Sequence, residues 1–469
     1  MGNEITAVQT EMSRTLNTAL ENASEIITRE YLGRLERYEI AKPTEEDLDI
    51  DIVECGKLYR LTKLVTNNEE NFLHKLTTIV NVASSIGSSV VTIIKSNGAN
   101  IDFYFGILSK NARMHTRADM QRREADTAAF RGALLGNLAG SELQELSAEK
   151  VEDFCREVFS GKDNCYSSVS GIVALRDEEN NKIENYVQGI ENLVDSLKGL
   201  DYTVIMLADP VGSSELSVVK QGYELLYTQL SAFAENSVTI NESDTMSLSR
   251  ARSEGISEGI SKGISMTQSK AKTKGKSVGV GINAGVGVIG LFNVGAGVNF
   301  GKNSGTSDSS GKTTSRSEST QRSHSVTDTS STSFTAGKSL QLNYVNRSVK
   351  SLLEKIDQHL KRLDECDNFG AFDCAAYVIA DTREKALTVA SNYNALMRGE
   401  HSFVQASHIN SWFRPEETEL IGKYLASFVH PKFILNKEKR LTVTPASVIS
   451  GDELAIQIGL PKKSVPGVT

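Results

Sequence analysis

The chain has 469 residues, 39% of them hydrophobic, so it can bury a sizeable core and divide into two or three domains. A formal net charge of −8 excludes a whole-protein electrostatic attraction to DNA. The charge is unevenly spread: Asn236 to Leu340 holds 12 Lys/Arg against 7 Asp/Glu, a basic segment set in an acidic body.

In chain order, residues 1–84 read as a helical region. Ile27, Tyr31, Leu32 and Leu35, and later Phe72, Leu76, Ile79 and Val80, recur at helical spacing. Residues 85–235 read as the first half of an α/β body. Ser88 to Lys95, a turn at Ser96-Asn97-Gly98, and Ile101 to Leu108 give a hairpin signal. Thr127 to Leu146 reads as a helix broken at Gly136 and Gly140. Ser167 to Leu175, Ile183 to Leu197 and Tyr202 to Leu207 have the spacing of a strand–helix–strand unit, with Asp209-Pro210 as the strand stop. Leu216 to Phe233 reads as a helix. Residues 341–469 form the second half of the body. The helix reading there covers Leu340 to Leu363 and Arg383 to Leu396, and strands are expected at Cys374 to Ala380, Leu441 to Val448 and Leu454 to Ile458.

Between the halves, residues 236–340 resemble a Gly/Ser linker in composition but not in pattern. Alternate residues of a strand share one face. From Ser253 to Gly287 all 18 odd-numbered positions are Gly, Ser, Thr, Ala or Asn, and from Asn293 to Thr335 all 22 are Gly, Ser, Thr, Asn or Gln. The even positions hold the larger residues: Glu254, Ile256, Glu258, Ile260, Lys262 and so on to Lys276. A disordered linker has no reason to keep parity, and no proline lies between Pro210 and Pro415 to forbid a ladder. The even face then turns apolar through Val278, Val280, Ile282, Ala284, Val286 and Val288. Beyond Ile289-Gly290-Leu291 it resumes as Phe292, Val294, Ala296, Val298 and Phe300.

A turn centred on Gly290 pairs residues whose numbers sum to 580. That register sets Arg252 opposite Asp328, Glu258 opposite Arg322, Lys262 opposite Glu318 and Lys272 opposite Asp308, each a complementary pair. Such pairs contribute only about 0.2–1 kcal/mol each, but they specify register. The expected fold class is therefore α+β: a mixed α/β body with a very long amphipathic β-hairpin insertion. Arms of about 120 Å (~3.3 Å per residue) need neighbours, and copies of the same chain closing a shared β-barrel supply them without leaving edges. The apolar tip near residues 278–300 has the length that a tilted strand needs to cross a bilayer, and Lys270 to Lys276 and Lys302 flank it where anionic headgroups would lie. In pattern the insertion resembles the stem hairpins of β-barrel pore formers.

Residues outside the insertion resemble the pre-motor region of bacterial HerA/FtsK-type ATP-binding proteins. The likeness rests on NLAGSEL (Asn137 to Leu143), VSGIVALRD (Val169 to Asp177), YVQGIENLVDSLKGLDYTVIMLADPV (Tyr186 to Val211), FDCAAYVIAD (Phe372 to Asp381), ASNYNALMRGEHSFVQASHINSWF (Ala390 to Phe413) and LPKKSVPGVT (Leu460 to Thr469). The resemblance implies a ring, usually hexameric, and ATP-driven translocation of a polymer. It carries no catalytic residues onto this chain. A phosphate-binding loop needs glycine five residues before Gly-Lys-Ser/Thr. The triplets at Gly275, Gly311 and Gly337 have Lys270, Thr306 and Thr332 there instead, so ATP hydrolysis is expected only from a following domain or a partner.

Other chemistry is sparse. Cys55, Cys155, Cys165, Cys366 and Cys374 have neither zinc spacing nor an even number, which points to small buried residues in a reducing compartment. His401 and His408, near Glu400, read as a solvated pair rather than a metal site, and Trp412 as a core or interface anchor. No cofactor is expected. Met1 to Tyr31 lacks a signal-peptide pattern, and the uncharged Ser277 to Gly301 has 8 Gly and 3 Asn, poor for a membrane helix. The expectation is cytoplasmic synthesis with membrane association through the hairpin tip. Two functions follow. The first is a ring-forming conduit whose partners are copies of itself, membrane lipid, an ATPase, and a nucleic acid or protein passing through the lumen. The second is a soluble accessory domain of a HerA-type DNA translocase, in DNA processing or phage defence.

Overall fold

The computed structural model describes residues 23–25, 27–48, 51–65, 72–110, 116–161, 163–173, 190–231, 234–241, 331–335, 339–345, 347–399, 404–436, 441–461 and 467. After the helical residues 23–25 and 27, a 3-10 helix, Glu30–Arg37, buries Tyr31, Leu32 and Leu35 as their spacing predicts. β1 (Glu39–Ile40) and two single-turn helices follow, the second, Ile52–Cys55, capped by Asp51, whose side chain accepts from the Val53 amide. β2 (Gly56–Lys63) then interrupts the region read as helical. Leu58, Tyr59 and Leu61 are buried there while Arg60 and Thr62 are half-buried, an alternation too short to stand out between helical neighbours.

α1 (Phe72–Ile86) leads into the expected hairpin, β3 (Ser89–Asn97) and β4 (Ile101–Leu108). Its turn is made locally: Gly98 adopts φ +80°, and Asn97 Oδ1 accepts from the amides of Ala99 and Asn100. α2 (Arg117–Asn137) begins at the Thr116 cap, passes through Gly136 and ends just before Gly140 (φ +81°). β5 (Glu142–Glu145) and α3 (Ala148–Phe159) follow. β6 (Cys165–Ser170), α4 (Ile190–Ser196) and β7 (Asp201–Pro210) realise the strand–helix–strand reading, although β7 continues through Asp209-Pro210 instead of stopping there. α5 (Ser213–Ser231), β8 (Glu235–Asn241), β9 (Ser331–Thr335) and β10 (Ser339–Val345) come next.

α6 (Arg347–Phe369) starts later than the sequence reading placed it, because Leu340, Leu342 and Tyr344 alternate in β10 instead of winding. The remaining elements are β11 (Ala371–Ala380), α7 (Arg383–Met397), β12 (His408–Trp412), α8 (Pro415–Ala426), β13 (Phe433–Asn436), β14 (Leu441–Val443), β15 (Ser447–Ser450) and α9 (Gly451–Ile458). α9 corrects the strand expected at Leu454 to Ile458. Ser450 and Glu453 form a reciprocal capping box that starts a helix.

The chain divides into two compact units. One holds a nine-stranded sheet of order β12-β6-β11-β7-β3-β4-β2-β5, in which β15 pairs the first half of β11, together with a small β1-β13-β14 sheet. Every pairing in the large sheet is antiparallel. β6 and β7 therefore run parallel, as the strand–helix–strand spacing requires, but β11 is inserted between them. One face of this sheet is apolar, including Phe372, Cys374, Ala376 and Val378 of β11 and Val204 and Met206 of β7, and the buried stripes of α1, α2, α4, α7 and α9 belong to the same core. The other unit holds a three-stranded sheet of order β8-β10-β9. Among the described residues no set of strands closes into a barrel, and no helix is long and apolar enough to cross a membrane.

Candidate functional site: the base of the insertion

β8 begins at the N-terminal boundary of the inserted region and β10 runs out of its C-terminal boundary, and the two pair antiparallel. Their seven partners run from Ser339 opposite Asn241 to Val345 opposite Glu235, and in every pair the residue numbers sum to 580. Parity continues too. The odd pairs Ser237/Asn343, Thr239/Gln341 and Asn241/Ser339 are polar, and the even pairs Val238/Leu342 and Ile240/Leu340 are apolar. The sum of 580 is the one that side-chain size and charge assign, in the sequence reading, to the residues between these two strands.

One feature differs. Ser331–Thr335 belongs to the C-terminal arm in the sequence reading, which places it opposite residues 245–249. Instead β9 turns back on β10, from Ser339 opposite Thr335 to Asn343 opposite Ser331. The charge pairs Arg252/Asp328, Glu258/Arg322, Lys262/Glu318 and Lys272/Asp308, the Gly290 turn and the tip from Val278 to Phe300 lie outside the described residues, as do the triplets at Gly275 and Gly311.

The body contains a polar constellation that sequence reading missed. Strand alternation puts Asp209 of β7, Asp373 and Tyr377 of β11, Ser168 of β6 and Asn410 of β12 on the sheet face opposite the apolar core. Asp209 and Asp373 are direct partners across the β7–β11 ladder. Lys110 Nζ donates to Asp209 Oδ1 at 2.5 Å. His430, from the loop after α8, accepts the Tyr377 hydroxyl proton on Nδ1 (2.6 Å) and donates from Nε2 to the Asp373 carbonyl (3.2 Å). Burial pushes the His430 pKa down to about 4, against the pull of Asp209, so the ring is neutral and its 3.8 Å approach to Asp209 is not an ion pair at neutral pH. Burial opposes the charge on Asp209, yet Lys110 and hydrogen bonds from Lys110 and Ser89 hold its carboxyl below the usual range. The sequence did carry a trace of this: Asp209 is the one acidic residue ending an otherwise apolar run, Tyr202 to Pro210.

The remaining candidates resolve simply. Trp412 is buried and stacked on Phe433 at 5.1 Å, an anchor of the core. His408 heads β12 rather than sitting on a helix, and His401 lies outside the described residues. All five cysteines are unpaired thiols; Cys55, Cys366 and Cys374 are buried. Among the described residues no group of three or more His, Cys, Asp or Glu could hold a metal ion. A cleft of about 360 Å³ lies between the end of α3, Asn164 and Tyr166, and α8, with the Lys423–Glu419 pair on its wall. The stretches quoted for the HerA/FtsK resemblance hold β7, β12 and nearly all of β11 but only the last two residues of β6; these four strands are adjacent in the large sheet. No protein-family model matches the chain, and a search of curated proteins returns no significant match.

Proposed function

We propose that this chain forms a ring whose insertions pair side by side into a shared β-barrel, the conduit of an ATPase-driven translocation or secretion machine. The observation that carries the reading is the 580 register of β8 and β10. It matches the register that parity and charge assign to the arms around Gly290. The odd face, all small and polar, suits a wet lumen. The even face, apolar from Val278 to Phe300, suits lipid at the tip. Energy comes from an ATPase domain or subunit, and a hexamer follows only from the HerA/FtsK likeness.

The first test is flotation with anionic vesicles, together with dye leakage. Arg or Lys at the centre of the lipid face costs about 2–4 kcal/mol, and an acidic residue there is also unfavourable, though by less. Val286→Asp is therefore expected to abolish flotation and leakage while the oligomer mass is retained. Flotation unchanged by Val286→Asp removes the membrane-crossing tip from the reading.

A second reading is favoured by two observations: the stretches of the HerA/FtsK likeness fall on β7, β11, β12 and the end of β6, which are neighbours in the large sheet, and the insertion is basic. On that reading the chain is an accessory domain of a DNA translocase and its insertion grips nucleic acid. It predicts DNA binding that weakens steeply with salt, and no lipid association.

A further inference from the structure

β10 has two hydrogen-bonding edges. β8 occupies one and β9 the other. Both neighbours run antiparallel to β10, so β8 and β9 run in the same direction. In a closed ring of hairpins the outer edge of each β10 must meet β8 of the next copy, also antiparallel. β9 therefore lies where that incoming strand would lie, and in the same orientation.

The sequences presented to β10 correspond as well. Opposite Asn343, Leu342, Gln341, Leu340 and Ser339, β8 sets Ser237, Val238, Thr239, Ile240 and Asn241, while β9 sets Ser331, Thr332, Ser333, Phe334 and Thr335. The odd positions are small and polar in both strands, and both set a large apolar residue, Ile240 or Phe334, opposite Leu340. β9 pairs over five residues and β8 over seven, so β8 of a second copy offers a longer ladder than the strand it replaces.

We propose that β9 is an internal stand-in for β8 of a second copy, covering the assembly edge of β10 until that strand displaces it. The inference rests on the ring reading. An uncovered edge is an open template for wrong pairing, and a short strand of matched pattern is a reversible cover. Displacement does a second thing. While β9 lies on β10, residues 331–335 cannot sit opposite residues 245–249, so the C-terminal arm cannot zip into the 580 register down to its root. Opening the edge and completing the arm are one event, and a lone copy is kept from extending its stem before a neighbour arrives.

The test uses the full chain. Directly opposed antiparallel residues have Cα atoms ~4.5–5.5 Å apart, within the span of a disulfide. Ser333→Cys with Gln341→Cys, oxidised, pins β9 in place. Mass is read by light scattering over a concentration series, with and without vesicles of phosphatidylcholine and phosphatidylglycerol. The pinned protein is expected to stay monomeric and to assemble on reduction. A mixture of two single variants, Thr239→Cys and Gln341→Cys, is expected to give cross-linked dimers that neither gives alone.

If the pinned protein assembles as readily as its reduced form, or the mixture assembles without cross-linking, the stand-in is overturned and the ring reading survives. If neither wild type nor any variant assembles under any condition, the ring reading falls and takes the stand-in with it.

Discussion

His430 carries the clearest consequence at the scale of single residues. Its folded pKa, about 4, lies below the ordinary value of 6.5. Between those values the unfolded chain binds more protons than the folded one, so stability falls as pH drops from 6.5 towards 4. The full loss is roughly 3 kcal/mol at 1.36 kcal/mol per pH unit. Asp209, whose folded pKa is lowered, adds a further loss as pH falls below its ordinary value of 3.8. Urea midpoints measured from pH 7 to 4 are expected to decline steadily in wild type and to flatten above pH 4 in His430→Gln. An unchanged slope in that variant would place the titrating group elsewhere. Asp209→Asn leaves Lys110 without its charged partner and is expected to cost about 3–5 kcal/mol. Little of this was legible beforehand, because Lys110, Asp209, Tyr377 and His430 are scattered along the chain and the topology alone gathers them.

Elements were legible where the local code is complete. The β3–β4 hairpin announced itself through alternation on both sides of Asn97-Gly98, and α7 through a helical stripe of Ala386, Val389, Ala390 and Tyr393, all buried. The short apolar run at Leu454 to Ile458 was ambiguous by period, and its deciding signal was the capping box upstream. Glu453 there also accepts both the Nε and Nη2 protons of Arg362 at 2.7 Å, tying α9 to α6 within the large unit. Ser450→Ala is expected to cost about 1 kcal/mol through the lost cap, and Glu453→Ala several times as much, because it strands a largely buried guanidinium. Denaturant midpoints of the two variants check the order; equal losses would reduce Glu453 to a capping residue. The insertion of β11 between β6 and β7 was not legible, since it joins strands about two hundred residues apart in sequence.

At the scale of the whole molecule, parity in the insertion was the strongest sequence signal, and the residue-number relation drawn from it holds for the seven pairs of β8 and β10. The return of β9 was hidden because its alternation suits either register. If the arms zip as the charges imply, Lys272→Glu is expected to weaken assembly and Asp308→Lys, added to it, to restore most of the loss; sedimentation of the three proteins checks this, and failure of the second change to rescue argues against the pairing. Asn241 and Ser339 face each other across one rung, so the two cut ends of the excised segment would already lie about 5 Å apart. A two-residue Asn-Gly link in place of residues 242–338 would bridge that gap in the manner of an ordinary tight hairpin. A foreign β-hairpin grafted at this rung is expected to be carried in the same way, with the melting of the large sheet unchanged.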